Sequence, residues 1–352
     1  MQIFLTLDYE LFSGSNPGTV ENTILLPTRK LLEVADRHDA KFVFYVDSGY
    51  LDRLKTYCDR YPQARADYDA VTEQIRMLDA QGHDIQLHIH PHWEDCTYDE
   101  RGWHMDTSRF RIHSFSQAQI EEIVYRYKKA LTDIVGEKVF AYRAGGWCLQ
   151  PFAKLGPALK KYGIWLDSTV YEEGLNSSQT HYYDFRGMPK KSLYRFEADP
   201  LKEDPQGYFT EIPISTCKVS PLFFWRFAYT KKFGKNAHKV YADGIGAGGT
   251  SNSSLLRMLT RPTKSLVSMD GLRASLLKRA LVENEKRDPE GNLVVIGHPK
   301  AVTPYALETL DRFLRHATKR HRVMTFTEYV KERGIGVVDS GSDEKTPVKN
   351  RG

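Results

Sequence analysis

The sequence predicts an α/β fold in which a mostly parallel sheet curls into a distorted (β/α) barrel of about seven strands. Two observations predict it. Short apolar runs alternate with segments of helical spacing along most of the chain, and polar, chemically able residues collect just after the runs. With 352 residues, 41% of them hydrophobic, the chain can build one large core.

The elements follow in order. Ile3–Leu7 is too short and too apolar for a helix and reads as a buried strand. Pro27, with Leu31, Leu32 and Ala35 at helical spacing, marks a helix over 27–38. Lys41–Val46 is a second strand, and 63–81 a helix ended by Gly82. In 84–90, Ile85, Leu87 and Ile89 alternate with Gln86, His88 and His90, the signature of a third strand. Ser116 caps a helix to Ile134, Val139–Arg143 is a strand, 151–162 a helix and 164–167 a strand. Leu293–His298, a helix at 303–320, a strand at 322–326 and a helix at 327–333 complete the pattern.

One domain is expected over 1–335, interrupted by a long insertion at about 171–260. The stretch 93–115 reads as a polar, aromatic loop, and the glycine-rich Ala242–Gly249 as a loop over the site. The Ser/Gly/Asp/Lys-rich tail, 336–352, is expected to be disordered.

Composition excludes several classes. A net charge of +5 without dense Lys/Arg stripes argues against a nucleic-acid partner. No window of about 18 apolar residues predicts a membrane span. The first residues carry neither a basic segment nor a long apolar one, so a cytoplasmic location is expected. Cys58, Cys96, Cys148 and Cys217 are far apart and read as reduced thiols.

Four constellations carry chemistry. Asp8 and Glu10, two apart at a strand end, face one cavity and can divide metal binding from base work. His88, His90 and His92 end the third strand, and imidazole is the commonest transition-metal ligand. His88 and His90 share a strand face, whereas His88 and His92 need a turn after His90. Arg143, followed by Ala144-Gly145-Gly146, can hold a carboxylate while the backbone bends closely past it. His298 ends the strand at 293–298 as a candidate general acid, and Asp167 is a candidate to orient it and raise its pKa.

In order and placement these residues resemble the polysaccharide deacetylase family (carbohydrate esterase family 4, the NodB-homology domain). Thr6-Leu7-Asp8-Tyr9-Glu10 stands where the family usually has Thr-Phe-Asp-Asp-Gly, and His88 to His92 matches its His-x-x-x-His. Arg143, Asp167 and His298 match the later motifs, and the resemblance covers roughly 1–170 and 290–330. It implies a metal-dependent enzyme that removes an N-acetyl group from an amino sugar. It implies Asp8 as the base, Arg143 as its orienter, and His298, with Asp167 behind it, as the acid. The metal ligands implied are His88 and His92, with Glu10 standing in for the family's second Asp, which is Tyr9 here. The ion expected is zinc, with Co, Ni, Mn or Fe as alternatives. Trp93, Trp147 and Tyr45 are the candidate sugar-binding rings.

The expected substrate is a glycan, a nucleotide sugar or a lipid-linked saccharide in surface polysaccharide synthesis. The aromatic and basic stretch 221–232 offers peripheral contact with the inner face of the membrane, or a segment of core. A related C–N amidase, such as a deformylase or ureide hydrolase, and an inactive glycan-binding protein on the same fold are the competing readings.

Overall fold

The structure, a computed structural model, describes residues 1–178, 180–246 and 252–337. Among the described residues nine strands form the principal sheet: β1 (Gln2–Tyr9), β2 (Phe42–Asp47), β3 (Asp84–Ile89), β4 (Ala141–Ala144), β5 (Leu166–Asp167), β6 (Tyr194–Phe196), β7 (Phe209–Glu211), β8 (Asn292–Gly297) and β9 (Arg322–Val323). The order is β6-β7-β5-β4-β3-β2-β1-β8, with β9 paired to the first residues of β1. Every pairing is parallel except that of β6 with β7. The sheet curls into an open barrel. Irregular chain spans the gap: Ser215 N donates to Val294 O at 3.1 Å and Met269 N to Ile296 O at 2.9 Å.

Among the described residues ten helices accompany the strands: α1 (Leu26–Asp36), α2 (Ser48–Tyr57), α3 (Pro62–Ala80), α4 (Gln117–Val135), α5 (Phe152–Lys161), α6 (Pro221–Phe233), α7 (Asn252–Thr260), α8 (Leu277–Arg287), α9 (Pro304–Ala317) and α10 (Phe326–Arg333). Local chemistry sets several ends. Ser116 and Gln119 form a reciprocal capping box on α4, and Thr325 and Glu328 form another on α10. Gly136 ends α4 at φ 77°, a conformation that costs other residues energy.

Strand alternation divides the core. In β1, Ile3, Leu5 and Leu7 join the apolar layer under the helices, while Phe4 joins a second, inner cluster. Phe42, Phe44 and Val46 of β2 and Leu293 and Val295 of β8 likewise face the helices, whereas Val43, Tyr45, Val294 and Ile296 face inward. Phe326 and Tyr329 of α10 plug the inner cluster from below. Each such side chain contributes about 1.5–3 kcal/mol of burial free energy. Further along each strand the inward positions turn polar: Thr6 and Asp8, Asp47, His88, Arg143 and His298. The strand register brings these ends level, pairing Asp47 with His88 and His88 with Arg143.

The expected insertion is not all loop. It supplies β6 and β7 to the sheet, a hairpin of Leu175–Ser177 with Tyr182–Asp184, and a ladder in which Thr216–Val219 pairs with Thr263–Leu266. The stretch 93–115 holds a small hairpin, Thr97–Asp99 with Gly102–His104. In the glycine-rich loop Ile245 bridges Asn16, and Ala247–Gly249 lie outside the described residues. The tail expected to be disordered lies outside them from 338 on. Among the described residues no helix is long and apolar enough to cross a membrane.

Candidate active site

Asp8, at the end of β1, is buried against Arg143 of β4. Arg143 Nη1 donates to Asp8 Oδ1 at 2.7 Å and to Thr6 Oγ1 at 2.9 Å, and Arg143 Nε donates to the Ser168 carbonyl at 2.7 Å. The guanidinium lies 4.2 Å over the Tyr45 ring. Burial alone would raise the Asp8 pKa. Arg143, with His88 and His298, outweighs it and holds the carboxyl below the usual range.

Glu10 lies two residues on, on the same side of the chain. One of its oxygens, Oε2, stands 2.5 Å from His90 Nε2 and 3.4 Å from His88 Nε2, and the other, Oε1, 2.9 Å from Lys300 Nζ. Burial pushes the Glu10 pKa up, but Lys300 and His90 pull it well below the normal value. His88 Nδ1 is 2.8 Å from the Arg143 carbonyl, which can only accept. The ring hydrogen therefore sits on Nδ1, and in neutral His88 the Nε2 lone pair points at Glu10. Both Nε2 atoms, of His88 and of His90, are buried without an aligned hydrogen-bond partner among the described residues. Two imidazoles and a carboxylate whose ligand atoms all lie within 4.8 Å of one another, with the nitrogens otherwise unsatisfied, fit a divalent transition metal. Gly145 makes room for this cluster: a Cβ there would lie 2.5 Å from Ile89 O and 2.7 Å from His90 Nδ1.

His298, at the end of β8, faces the carboxylates from the opposite side, its Nε2 3.6 Å from Asp8 Oδ2 and 3.8 Å from Glu10 Oε1. Behind it stands Asp270. Burial would lower the His298 pKa, but Asp270 first, then Asp8 and Glu10, raise it to about 9.

Several expectations need correction. His92 is outside the cluster, and His90 is in it. The chain stays extended through His90, so residues 88 and 90 keep one face; Pro91 then opens a 3₁₀ turn that sets the His92 ring beside His90, 5.4 Å between centroids, outside the group whose donor atoms lie within 4.8 Å of one another. There the His92 ring stacks on Phe110, 5.5 Å between centroids and 8° between planes, and burial, then His90, keeps its pKa well below the normal value. Asp167 does not stand behind His298. Its oxygens accept from Thr169 N at 3.1 Å and Thr169 Oγ1 at 2.8 Å, and it pairs in register with Glu211, a second buried acid. Trp93 and Tyr45 are enclosed and offer no ring face to a sugar: Trp93 Nε1 donates to Asp47 Oδ2 at 2.6 Å, and Tyr45 underlies Arg143. Trp147 is half-buried, edge-on to Tyr171 and Tyr183. Sequence reasoning missed Asp270 and Lys300. The signal for Asp270 was an Asp-Gly pair closing the apolar run Leu266–Met269.

No family model matches the chain, and no curated protein matches it. Among solved structures, a protein from Mycobacterium smegmatis described as a polysaccharide deacetylase aligns with 96% of this chain over 92% of its own, at 16% identity and a TM-score of 0.51. The fold is that of the polysaccharide deacetylases. A second protein so described, from Pseudomonas aeruginosa PAO1, aligns with 95% of the chain over 92% of its own, at 13% identity and a TM-score of 0.48. Puue allantoinase aligns with 94% over 89%, at 13% identity and 0.48. On the deacetylase fold, Asp8, Glu10, His88, Arg143 and His298 occupy the C-terminal ends of strands, the face where parallel barrels carry their chemistry.

Proposed function

We propose that the chain is a metal-dependent hydrolase of the polysaccharide deacetylase family, with one catalytic domain over 1–335, that removes an N-acetyl group from an amino sugar. One observation carries the reading: Glu10, His88 and His90 turn donor atoms toward one another in buried space, flanked by a carboxylate, Asp8, and a carboxylate-held imidazole, His298. Glu10, His88 and His90 would hold the ion, zinc or a similar divalent metal. Once bound, the ion polarises the amide carbonyl and acidifies water.

The chain's own groups account for the proton traffic. Asp8 Oδ2, free of Arg143, takes a proton from the attacking water as its oxygen bonds to the acyl carbon. Arg143, itself bonded to Thr6, fixes that carboxylate's angle. His298 Nε2 gives a proton to the nitrogen as the C–N bond breaks, releasing acetate and a free amine, and Asp270 keeps the ring hydrogen on Nδ1. The substrate class we read is an N-acetylated amino sugar on a glycan, nucleotide or lipid carrier, handled in the cytoplasm, where the four free cysteines stay reduced.

The test is acetate release from N-acetylated chito-oligosaccharides and from nucleotide-linked N-acetyl sugars. It is run with the protein as purified, after chelation and after adding zinc back. Release that vanishes on chelation and returns with the metal supports the reading. Release unaffected by chelation, or none from any acetylated sugar, overturns it.

A further inference from the structure

Helix α6 has an outer face that the fold leaves bare. Leu222, Trp225, Tyr229 and Phe233 follow one another at i, i+3, i+7 and i+11, one stripe of a helix with 3.6 residues per turn. They are 77%, 57%, 66% and 60% exposed. The opposite side is also apolar and faces the protein: Phe224 is buried and Phe223 half-buried, packed on the main core. Arg226 and Lys232, both exposed, border the bare stripe on either side. Packed beside it, α7 adds Leu255 and Leu256, 44% and 64% exposed, and accepts the Trp225 N–H at Leu259 O, 3.1 Å.

The charge of this excursion is lopsided. Residues 218–261 hold eight Lys and Arg and a single acid, Asp243, in a chain whose net charge is +5. Asp243 is engaged by Thr19, Asn22 and Thr23. A second copy would bring two such cationic segments together, which like-charge repulsion opposes. Lysine and arginine rim an aromatic and aliphatic stripe, with one acid in the whole of 218–261. That combination suits the headgroup region of an anionic bilayer, where aromatic side chains sit at the interface and cations reach the lipid phosphates.

We propose that α6 and α7 dock the protein on the surface of an anionic lipid bilayer, with the stripe Leu222, Trp225, Tyr229 and Phe233 entering the interface. The excursion leaves and rejoins the body on the Thr216–Val219 and Thr263–Leu266 ladder, and the second of those strands runs on to Asp270, behind His298. Docking would therefore hold the site's edge beside the membrane.

The test is co-sedimentation of the full chain with vesicles of phosphatidylcholine and phosphatidylglycerol, beside phosphatidylcholine alone. Binding to the anionic vesicles that falls as salt rises is expected. Arg226→Gln and Lys232→Gln should each weaken it about fivefold, and the double variant Leu222→Ser/Tyr229→Ser about tenfold or more. No binding to anionic vesicles overturns the proposal, as does binding that the double variant leaves unchanged. Light scattering that finds a dimer which Leu222→Ser/Tyr229→Ser dissolves overturns it too, because the stripe would then be a subunit interface. An unchanged thermal transition of the double variant verifies that it folds.

Discussion

Asp270 grips His298 twice: one carboxylate oxygen accepts the His298 main-chain N–H at 2.8 Å, and the other faces ring Nδ1 at 2.8 Å. The grip fixes the tautomer and the ring plane together. Burial disfavours the imidazolium, and Asp270 is the first group that counters it, bringing the pKa to about 9. A raised histidine pKa keeps the proton at neutral pH and loses it as pH rises through 9. Asp270→Asn should move the basic limb of kcat/KM to lower pH, whereas Asp167→Asn should leave that limb in place. Profiles of the two variants decide it, and coincident limbs would remove Asp270 from its role.

Metal content separates the histidines. Glu10→Ala, His88→Ala and His90→Ala should each cost more than about 100-fold in metal affinity. His92→Ala should retain one ion per chain, because its ring lies outside the cluster against Phe110. Elemental analysis after dialysis reads both, and an ion lost with His92 would sink the ligand set.

Asp8→Asn should lower kcat by about 10²–10⁴. It also strands Arg143, which is fully buried, so a loss of up to about 3–5 kcal/mol in stability is expected. Asp8→Asn/Arg143→Met removes both charges and should recover much of that loss without recovering activity. Denaturant midpoints beside initial rates test the cycle.

His83 gives the fold an acid limit away from the site. It is buried, its Nδ1 accepts the Phe42 N–H at 2.9 Å, and burial, with Lys41, lowers its pKa to about 4. A lowered histidine pKa contributes stability that is present above 6.5 and lost as pH falls through 4. Its share is about 3 kcal/mol. His83→Asn, which keeps the acceptor, should flatten the fall in unfolding free energy between pH 6.5 and 4. A slope equal to that of the parent protein would place the acid sensitivity elsewhere.

Glu211 acts with the opposite sign. Burial, then Asp167, which stands beside it in register, raises its pKa well above the normal value. Such a group favours the fold at low pH and costs stability once the unfolded chain ionises. Glu211→Gln should raise the melting temperature at pH 7, with a gain of about 1–2 kcal/mol. A lower melting temperature would mean that the charge itself is wanted.

Much of this was legible in the sequence because β1, β2, β3 and β8 are long enough to display alternation. Six to eight residues fix which side chains face the helices and which the interior. Asp8, Glu10, His88 and His298 could be brought together on that ground, whereas Arg143, on the four-residue β4, stood out by the glycines that follow it. Strands β6 and β7 have three residues each, too few to reveal a period. Whether His90 or His92 joins His88 turned on a single extended residue before Pro91. Asp270 lies 28 residues before its histidine, on chain that crosses the barrel's gap, and local pattern carries no trace of that encounter.

The ladder that closes this crossing has a consequence for how the molecule can change. Val219 and Thr263 are neighbours in register, so the 43 positions between them, 220 to 262, form an arc with a closed base. Lengthening such an arc costs little loop-closure entropy. Apart from the stretch round Asp243 and Ile245, which is tied to Thr19, Asn22 and Asn16, its sequence can drift or be trimmed while the base stays zipped. The stretch from β5 to Thr216 is not so free, because it carries two strands of the barrel wall. Evolution, or an engineer, can re-address the protein at the arc and leave its chemistry alone.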